Sequence, residues 1–355
     1  MQTSNEAIRL RACTGTGYIA LDVVVDGETG TPRGSWAGGS CGNVLAILSY
    51  LGWRSSAIGR VGHDPAGRRV VTDLAQCGTN TTYITQSRSV DTPIVLEHLI
   101  DGGTTGRDHE FSWFCPHCSA RLPRFRPVLV DQTPAIKRYM EPASVFYFDR
   151  VSHAAIALAS HFHSIGALIV FEPCRMGRGP LFDRACELAD VVKYSEERIR
   201  NAGEVFSESG ALLEVQTLGS DGLRYRFRPN EASRATWTIL KGFKAAQVRD
   251  STGAGDWCTA ALIASIGRHG RQGLAEATEE ELTGALWRGQ ALAAINCQFE
   301  GARGLMYATP ARTLMRLLDS VLTERDVPQI RDGCPTSNPD HGFSMQCPKC
   351  PDGPD

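Results

Sequence analysis

Short apolar runs rich in β-branched residues alternate along the chain with longer segments of helical pattern, and glycine or proline bounds most of them. This alternation is typical of a mostly parallel sheet with helices on its faces. The predicted strands are 19–25, 54–61, 145–148, 167–171, 191–194 and 212–218, and the predicted helices are 40–51, 65–77, 153–164, 280–299 and 310–323. We therefore expect an α/β fold.

Two segments depart from this alternation. Residues 101–131 begin with glycines and end in a proline- and arginine-rich stretch, so we interpret them as an insertion that forms a lid or flap. Residues 326–355 contain proline and glycine throughout and few apolar residues, which leaves them without a hydrophobic core of their own. We expect one main domain within residues 1–325 and a C-terminal tail at 326–355.

The composition is that of an ordinary soluble globular protein, with 42% hydrophobic and 21% charged residues in a chain of 355. A formal net charge of -2 gives no electrostatic reason to expect nucleic-acid binding. No apolar run reaches membrane-spanning length, and the first residues lack the basic-then-apolar pattern of a secretion signal. We expect a cytoplasmic protein that binds neither nucleic acid nor membrane.

The sequence DSTGAGD at 250–256 places a glycine pair between two carboxylates, directly before the apolar run 257–266. A run with almost no polar face predicts a buried helix, so residues 253–255 would present backbone N–H groups at its N-terminus. Such amides and the helix dipole favour a phosphate, and the adjacent Asp256 could orient or deprotonate an attacking hydroxyl. Phosphoryl transfer is the indicated chemistry, although glycines here can also serve only to cap and pack a helix.

The other glycine-rich segments argue against two common nucleotide motifs and for a polyol site. GTGYIA at 15–20 fits the dinucleotide fingerprint, but β-branched residues follow where a helix would have to begin. No phosphate-binding loop of the G-x-x-x-x-G-K-[ST] type occurs. GGSCGN at 38–43 lets the backbone approach a small polar ligand, Asn43 offers a donor and an acceptor, and the Asp22 carboxylate could accept hydrogen bonds from sugar hydroxyls.

Four motifs occur in the order and roughly the spacing of one enzyme family: GGSCGN at 38–43, IGRVGHDPAG at 58–67, TLGSDG at 217–222 and DSTGAGD at 250–256. In these motifs the chain resembles the PfkB, or ribokinase-like, carbohydrate kinases over about residues 10–325. The resemblance implies a doubly wound, mostly parallel α/β domain with a small β lid built from parts of 14–40 and 90–131. It also implies that ATP and Mg²⁺ are used to phosphorylate a hydroxymethyl group of a sugar, nucleoside or related polyol.

The resemblance assigns roles to individual residues. The expected catalytic base is Asp256, with an anion hole at Gly253, Ala254 and Gly255. The expected sugar contacts are Asp22, Gly38, Gly39 and Asn43. The nucleotide is expected at Thr217, Gly219 and Gly222, with Asn296, Gly301 and Ala302 beside adenine. A base of ordinary pKa is acceptable here, because a loose transition state needs the proton to be accepted only late. Lid-to-lid dimers are usual where the resemblance holds, so a homodimer through the lid is a further expectation.

One segment departs from the family pattern. After strand 191–194 the family has N-x-x-E, which helps to organise Mg²⁺ and phosphate through water, whereas this chain has SEER at 195–198. Either Glu196 or Glu197 takes that role from a shifted register, or metal handling is altered. Glu172 could also serve the metal, and a helix-capping or solvated acid is the alternative reading. A catalytically weakened sugar- or nucleotide-binding sensor of the same fold is the corresponding functional alternative.

Two C-P-x-C turns, CPHC at 115–118 and CPKC at 347–350, are absent from the family pattern. Each turn aims two thiolates at one point, and two turns supply the tetrahedral set that Zn²⁺ prefers. The predicted ligands of one shared, structural zinc site are Cys115, Cys118, Cys347 and Cys350. The alternatives are a redox pair, His109 or His341 in place of one thiolate, or unliganded cysteines. A zinc-stabilised interaction module on a kinase scaffold is a second functional alternative.

Overall fold

The computed structural model describes residues 11–101, 107–200, 206, 209–229, 236–330, 347 and 350. Its strands are β1 (Ala12–Thr16), β2 (Ala20–Asp26), β3 (Pro32–Gly38), β4 (Arg54–Gly62), β5 (Asn80–Ser87), β6 (Ile94–Asp101), β7 (Arg107–Ser112), β8 (Val145–Phe148), β9 (Leu168–Phe171), β10 (Val191–Ser195), β11 (Leu213–Thr217), β12 (Gly222–Phe227) and β13 (Thr238–Lys241). Its helices are α1 (Ser40–Tyr50), α2 (Pro65–Gln76), α3 (Thr133–Tyr139), α4 (His153–Ser164), α5 (Pro180–Leu188), α6 (Ala254–Ile266), α7 (Gly270–Ala275), α8 (Glu279–Asn296), α9 (Gly304–Ala308) and α10 (Ala311–Glu324).

In the described part of the chain, the central sheet has nine strands in the order β13-β12-β11-β10-β9-β8-β1-β4-β5. The strands from β11 to β5 in this order are all parallel, and β12 and β13 continue antiparallel at one edge. The chain runs from β1 to one side through β4 and β5, and later returns to the other side through β8. The predicted doubly wound, mostly parallel α/β fold is confirmed.

Hydrophobic clusters cover both faces of this sheet, because successive side chains of a strand point to opposite faces. In β8, Val145 and Tyr147 belong to the cluster that α1, α6 and α8 cover, whereas Phe146 and Phe148 belong to the cluster that α4 and α5 cover. The apolar run 257–266 lies in α6, as predicted, and this helix packs against both α1 and α8. Burial along most of its length fixes the position of its N-terminus.

A second, smaller sheet forms a lid, with four strands in the order β3-β2-β6-β7 among the described residues. β2 pairs antiparallel with β3 and parallel with β6, and β6 pairs antiparallel with β7. The buried guanidinium of Arg303 joins this lid to the core. It donates hydrogen bonds to the main-chain oxygen of Ala37 in β3 and to Asp73 in α2, at 2.5 and 2.7 Å.

The predicted elements agree with the observed ones where apolar periodicity and an end signal coincide. The Asp64 carboxylate accepts a hydrogen bond from Gly67 N and caps α2, and Gly78 follows that helix with a φ of 86°. Strands β1, β3, β5, β6, β7, β12 and β13 have no counterpart among the individually predicted strands. Among the described helices, none combines the length and the apolar character that crossing a membrane requires.

Candidate active site

A cleft of about 1420 Å³ opens between the lid and the carboxyl ends of the parallel strands. Glu172 follows β9, Ser195 ends β10 and Thr217 ends β11, and all of them line it together with the N-terminus of α6. Lid residue Asp22 lines the same space. Open α/β sheets bind ligands at this edge, next to the point where the strand order reverses. This cleft is therefore the candidate active site.

The turn before α6 requires glycine at position 253. Gly253 is the N-cap of α6 with a φ of 75°, and a Cβ atom there would lie 2.4 Å from Ala302 O. Ala254 N donates a hydrogen bond to Ser251 O at 3.2 Å, whereas the N–H groups of Gly253 and Gly255 have no partner in the described part of the chain. Because both glycines line the cleft, their amides are available to an anion bound there.

The first acid of the DSTGAGD motif supports this turn from behind. Asp250 Oδ1 accepts a hydrogen bond from Thr252 N at 2.8 Å, and its Oδ2 accepts one from Gly301 N at 2.6 Å. The fully buried Asn296 donates to Thr252 O at 3.3 Å. Asn296, Gly301 and Ala302 thus belong to the scaffold of the turn. They do not line the main cleft, but Gly301 and Ala302 line a smaller cavity. Their contact with adenine stays a prediction.

Asp256 lies in the first turn of α6, opposite Asn43 of α1, whose Nδ2 donates a hydrogen bond to Asp256 Oδ2 at 2.8 Å. Burial at the bottom of the cleft, and then repulsion from Glu172, raise the pKa of Asp256 to about 7 against the opposing effects of Asn43 and Lys193. From the sequence, an ordinary pKa was expected for this base. The raised pKa makes Asp256 a stronger base near neutral pH than an ordinary carboxylate.

The predicted sugar contacts lie together at the lid end of the cleft. Asp22 Oδ2 accepts a hydrogen bond from Gly39 N at 3.2 Å, and Asp22, Gly39 and Asn43 all line the cleft. A Cβ atom at Gly38 would lie 1.7 Å from Asp22 Oδ2, so Gly38 makes room for that carboxylate. Burial raises the pKa of Asp22 to about 6, although the Gly39 hydrogen bond opposes the shift.

Tyr18, Arg150 and Trp113 also line the cleft, and the sequence analysis did not select them. Arg150 Cζ lies 4.7 Å from the centroid of the Tyr18 ring, and its guanidinium pairs with Asp149 at 2.9 Å. A charged pair directly after a buried parallel strand is a signal that could have identified Asp149 and Arg150. Trp113 has no such signal, because it lies in the insertion, outside any periodic pattern.

The predicted nucleotide residues lie at the other end of the cleft, where β11 turns into β12. Thr217, Gly219 and Gly222 all line it. Gly219 has a φ of 61° and Gly222 a φ of 107°, and a Cβ atom at Gly222 would lie 2.2 Å from Leu240 O. The two glycines therefore permit a turn whose bare backbone can approach a ligand closely.

The acids considered for Mg²⁺ differ in their surroundings. Glu172 Oε1 accepts a hydrogen bond from the Lys193 ammonium at 2.6 Å, and its Oε2 accepts one from the Thr259 hydroxyl at 2.7 Å. Both oxygens of Glu172 thus have protein donors, so this residue anchors the floor of the cleft and is not a free metal ligand. Glu196 and Glu197 are exposed and line the cleft.

The two C-P-x-C turns meet. The sulfur atoms of Cys115, Cys118, Cys347 and Cys350 all lie within 4.8 Å of one another. The side chain of His109 and the whole of His341, considered as substitutes for one thiolate, lie outside the described part of the chain.

The fold is similar to that of solved ribokinase and fructokinase structures. The sequence model of the pfkB family of carbohydrate kinases matches residues 24–106 and 184–308, more than half of the chain. The chain therefore belongs to the pfkB family of carbohydrate kinases, as its motifs predicted.

Curated relatives and solved structures agree with this assignment. The chain is 28% identical over 275 residues to a fructokinase from Klebsiella pneumoniae, with 72% of this chain and 84% of the relative covered. It is 24% identical over 277 residues to a fructokinase from Vibrio alginolyticus, with 72% and 83% covered. The structure of a fructokinase with bound ATP from Xylella fastidiosa has a TM-score of 0.69 at 19% identity, with 89% and 99% covered. An Arabidopsis thaliana ribokinase complexed with ribose and ATP has a TM-score of 0.62 at 18% identity, with 87% and 99% covered.

Proposed function

We propose that this kinase transfers the γ-phosphoryl group of ATP to a hydroxymethyl group of a small sugar, in a reaction that requires Mg²⁺. One observation carries the proposal. The raised-pKa carboxylate of Asp256 and the open amides of Gly253 and Gly255 lie at one helix N-terminus, in the cleft that Asp22 and Asn43 also line. We take these groups as the base, the anion site and the sugar contacts of the proposed reaction.

In the proposed reaction the acceptor hydroxyl lies between Asp256 and the γ-phosphorus. The oxygen of that hydroxyl forms a bond to phosphorus, the bond from phosphorus to the β–γ bridging oxygen breaks, and ADP leaves. The acceptor proton passes to Asp256 Oδ. Asn43 keeps the carboxylate oriented through its 2.8 Å hydrogen bond. The N–H groups of Gly253 and Gly255 stabilise the negative charge on the transferring group. Stabilisation of this kind by fixed dipoles is usually the largest single contribution to catalysis.

The residues at the nucleotide end suit Mg²⁺. This ion is commonly held by one or two carboxylates together with substrate phosphates and water, and it neutralises developing charge on the phosphates when bound. Glu196 and Glu197 are the carboxylates that fit, because they are exposed on the cleft wall, whereas Glu172 is already paired with Lys193. They would take this part despite the altered SEER sequence at 195–198. A homodimer through the lid stays a prediction.

The proposal is tested by measuring ADP formation from ATP and Mg²⁺ with a panel of fructose, ribose, other hexoses, polyols and nucleosides. Fructose comes first because two relatives are fructokinases. We expect ADP and a phosphate monoester, identified by ³¹P NMR, with at least one sugar. A nucleoside as the preferred acceptor would contradict the sugar proposal. Measurable binding of ATP and sugar without any monoester would contradict phosphoryl transfer and support the sensor alternative.

The pH dependence of the reaction follows from the raised pKa of Asp256. The base works only when it is ionised, so kcat/KM for the sugar should fall as the pH decreases through about 7, to roughly one tenth of its plateau one unit below that pKa. Removing the stabilising hydrogen bond in Asn43→Ala should move this limb to higher pH. Steady-state kinetics between about pH 5.5 and 9 check both expectations. A wild-type profile that is flat between about pH 5.5 and 7 would contradict them.

A further inference from the structure

The cysteine cluster has the dimensions of a tetrahedral metal site. Cys115 Sγ lies 3.7 Å from Cys350 Sγ, and Cys118 Sγ lies 3.8 Å from Cys347 Sγ. A Zn–S bond of about 2.3 Å makes the edge of a regular Zn(S)₄ tetrahedron about 3.8 Å. A disulfide requires about 2.05 Å between sulfurs. The sulfur positions therefore fit four thiolates around one ion and do not fit disulfide pairs.

The backbone builds both turns around these sulfurs. Cys115 N donates a hydrogen bond to Ala120 O at 2.8 Å, and Ser119, with a φ of 55°, donates from its N to Cys115 O at 2.9 Å. In the second turn Cys350 N donates to Cys347 O at 2.9 Å. The cluster is buried on the side of Cys115 and Cys347 and open on the side of Cys118. An ion could therefore enter from solvent.

We propose that Cys115, Cys118, Cys347 and Cys350 bind one Zn²⁺, which joins the lid to the C-terminal end of the chain. Thiolate ligands select zinc over magnesium or calcium, and four of them leave no open coordination position for a substrate. The role of the ion is structural. Its binding free energy is available to hold the 347–350 turn against the lid, since the tail sequence has few apolar residues to bury.

The zinc site also connects to the cleft. A hairpin carries its first two cysteines, and Leu122 N closes that hairpin by donating to Trp113 O at 2.9 Å. Trp113 lines the cleft. Earlier in the tail, Ile330 N donates to Gln298 Oε1 at 2.9 Å, and Val327 pairs with Ala245, which lines the same cleft. The C-terminal segment thus contacts the core beside the cleft and, through the metal, the lid.

Metal content is the direct test. Protein expressed with added Zn²⁺ and purified under reduction should contain about one zinc per chain by elemental analysis. The Cys118→Ser/Cys350→Ser double variant lacks two of the four ligands, so it should lose at least about nine tenths of the bound zinc. Cys186→Ala, which removes a buried thiol from the opposite face of the sheet, is the matched control and should keep its metal. Co²⁺ in place of zinc should give the intense visible bands of a tetrahedral thiolate complex.

Hydrogen exchange tests the structural role without any assay of activity. Removing zinc from the wild-type protein with a chelator should speed exchange at the amides of Cys115, Ser119 and Cys350 by at least about tenfold, and returning Zn²⁺ should reverse this. This readout also serves if the double variant fails to fold. Wild-type protein without zinc, a double variant that keeps it, or exchange that does not respond to metal would each overturn the proposal. None of these outcomes depends on phosphoryl transfer.

If removal of zinc by a chelator speeds exchange in the hairpin and also releases a bound partner protein, the interaction-module alternative gains support over a purely structural clamp. If sugar phosphorylation changes at the same time, the readout will be the KM for the sugar, because Trp113 contacts the Tyr18 side chain and both line the cleft with Asp22. That last comparison rests on the proposed kinase function, whereas metal content and hydrogen exchange do not.

Discussion

Asp256→Asn is expected to lower kcat by about 10²- to 10⁴-fold on whichever sugar proves to be the substrate, the range that loss of a general base produces. The asparagine keeps the shape of the side chain and can still accept the hydrogen bond from Asn43. Its amide cannot take up the proton of the sugar hydroxyl. The KM for the sugar should change little, because the contacts from Asp22 and the Gly39 region remain. Steady-state kinetics with the best acceptor from the panel measure both parameters.

Stability separates this chemical effect from a folding defect. Burial raises the pKa of Asp256, so the ionised carboxylate is costly in the folded protein, and its neutral replacement should leave the melting temperature unchanged or higher. Asp91→Asn makes the same change at an exposed residue outside the cleft and should keep wild-type turnover. An Asp256→Asn enzyme with wild-type kcat would show that Asp256 is not the base.

Gly253→Ala is expected to lower kcat by about 10²- to 10³-fold, the effect of losing donors from an anion hole. Alanine is strained at a φ of 75°, and its Cβ would lie 2.4 Å from Ala302 O, which belongs to the backbone. The turn must therefore shift, and the amides of Gly253 and Gly255 move away from the phosphate position. The same kinetic assay, together with calorimetric measurement of ATP affinity, checks this expectation.

A second glycine provides the control. Gly284 lies in α8 with no atom within 4 Å of an added Cβ and no positive φ, so Gly284→Ala should leave kcat unchanged and the protein as stable or slightly more stable. If Gly253→Ala retained normal turnover while remaining folded, the open amides at the start of α6 would not be the anion site.

Motifs that combine a backbone requirement with chemistry were the most predictable part of the molecule. The glycines of 250–256 and the apolar run that follows them predicted α6 and the position of its N-terminus, because both features are local in the sequence. Each C-P-x-C turn likewise fixes two sulfurs locally, and the prediction that the two turns meet rested on the four ligands that Zn²⁺ prefers. What the sequence could not supply was the partner of each local feature across the fold.

Residues whose neighbours come from distant parts of the chain were the least predictable from the sequence. Asn296 resembles a ligand contact in the sequence, but its amide is consumed by buried backbone at Thr252. Glu172 resembles a metal ligand, but Lys193 and Thr259, from other elements, occupy its oxygens. The sequence alone does not distinguish these roles, because a polar side chain at a strand or helix end can bond to the protein or to a ligand, and only long-range packing decides which.

Strands of polar or small residues were also missed. β5, with the sequence NTTYITQS, lies at the edge of the central sheet and pairs with β4. Most of its side chains are only partly buried, so they need not be apolar. β3 carries a proline and two glycines but is held at the edge of the lid by β2. Edge position relaxes the hydrophobic alternation on which a strand prediction depends.

The route of the chain from β3 into α1 connects the lid to the proposed catalytic base. β3 ends at Gly38, Gly39 follows with a φ of 75°, and α1 then carries Asn43, the hydrogen-bond partner of Asp256. On the other side of the lid, Glu97 of β6 accepts a hydrogen bond from the Thr252 hydroxyl in the phosphate turn. A displacement of the lid would therefore disturb both the proposed base and the turn before α6. Without a bound sugar and with its lid displaced, the enzyme should hydrolyse little ATP.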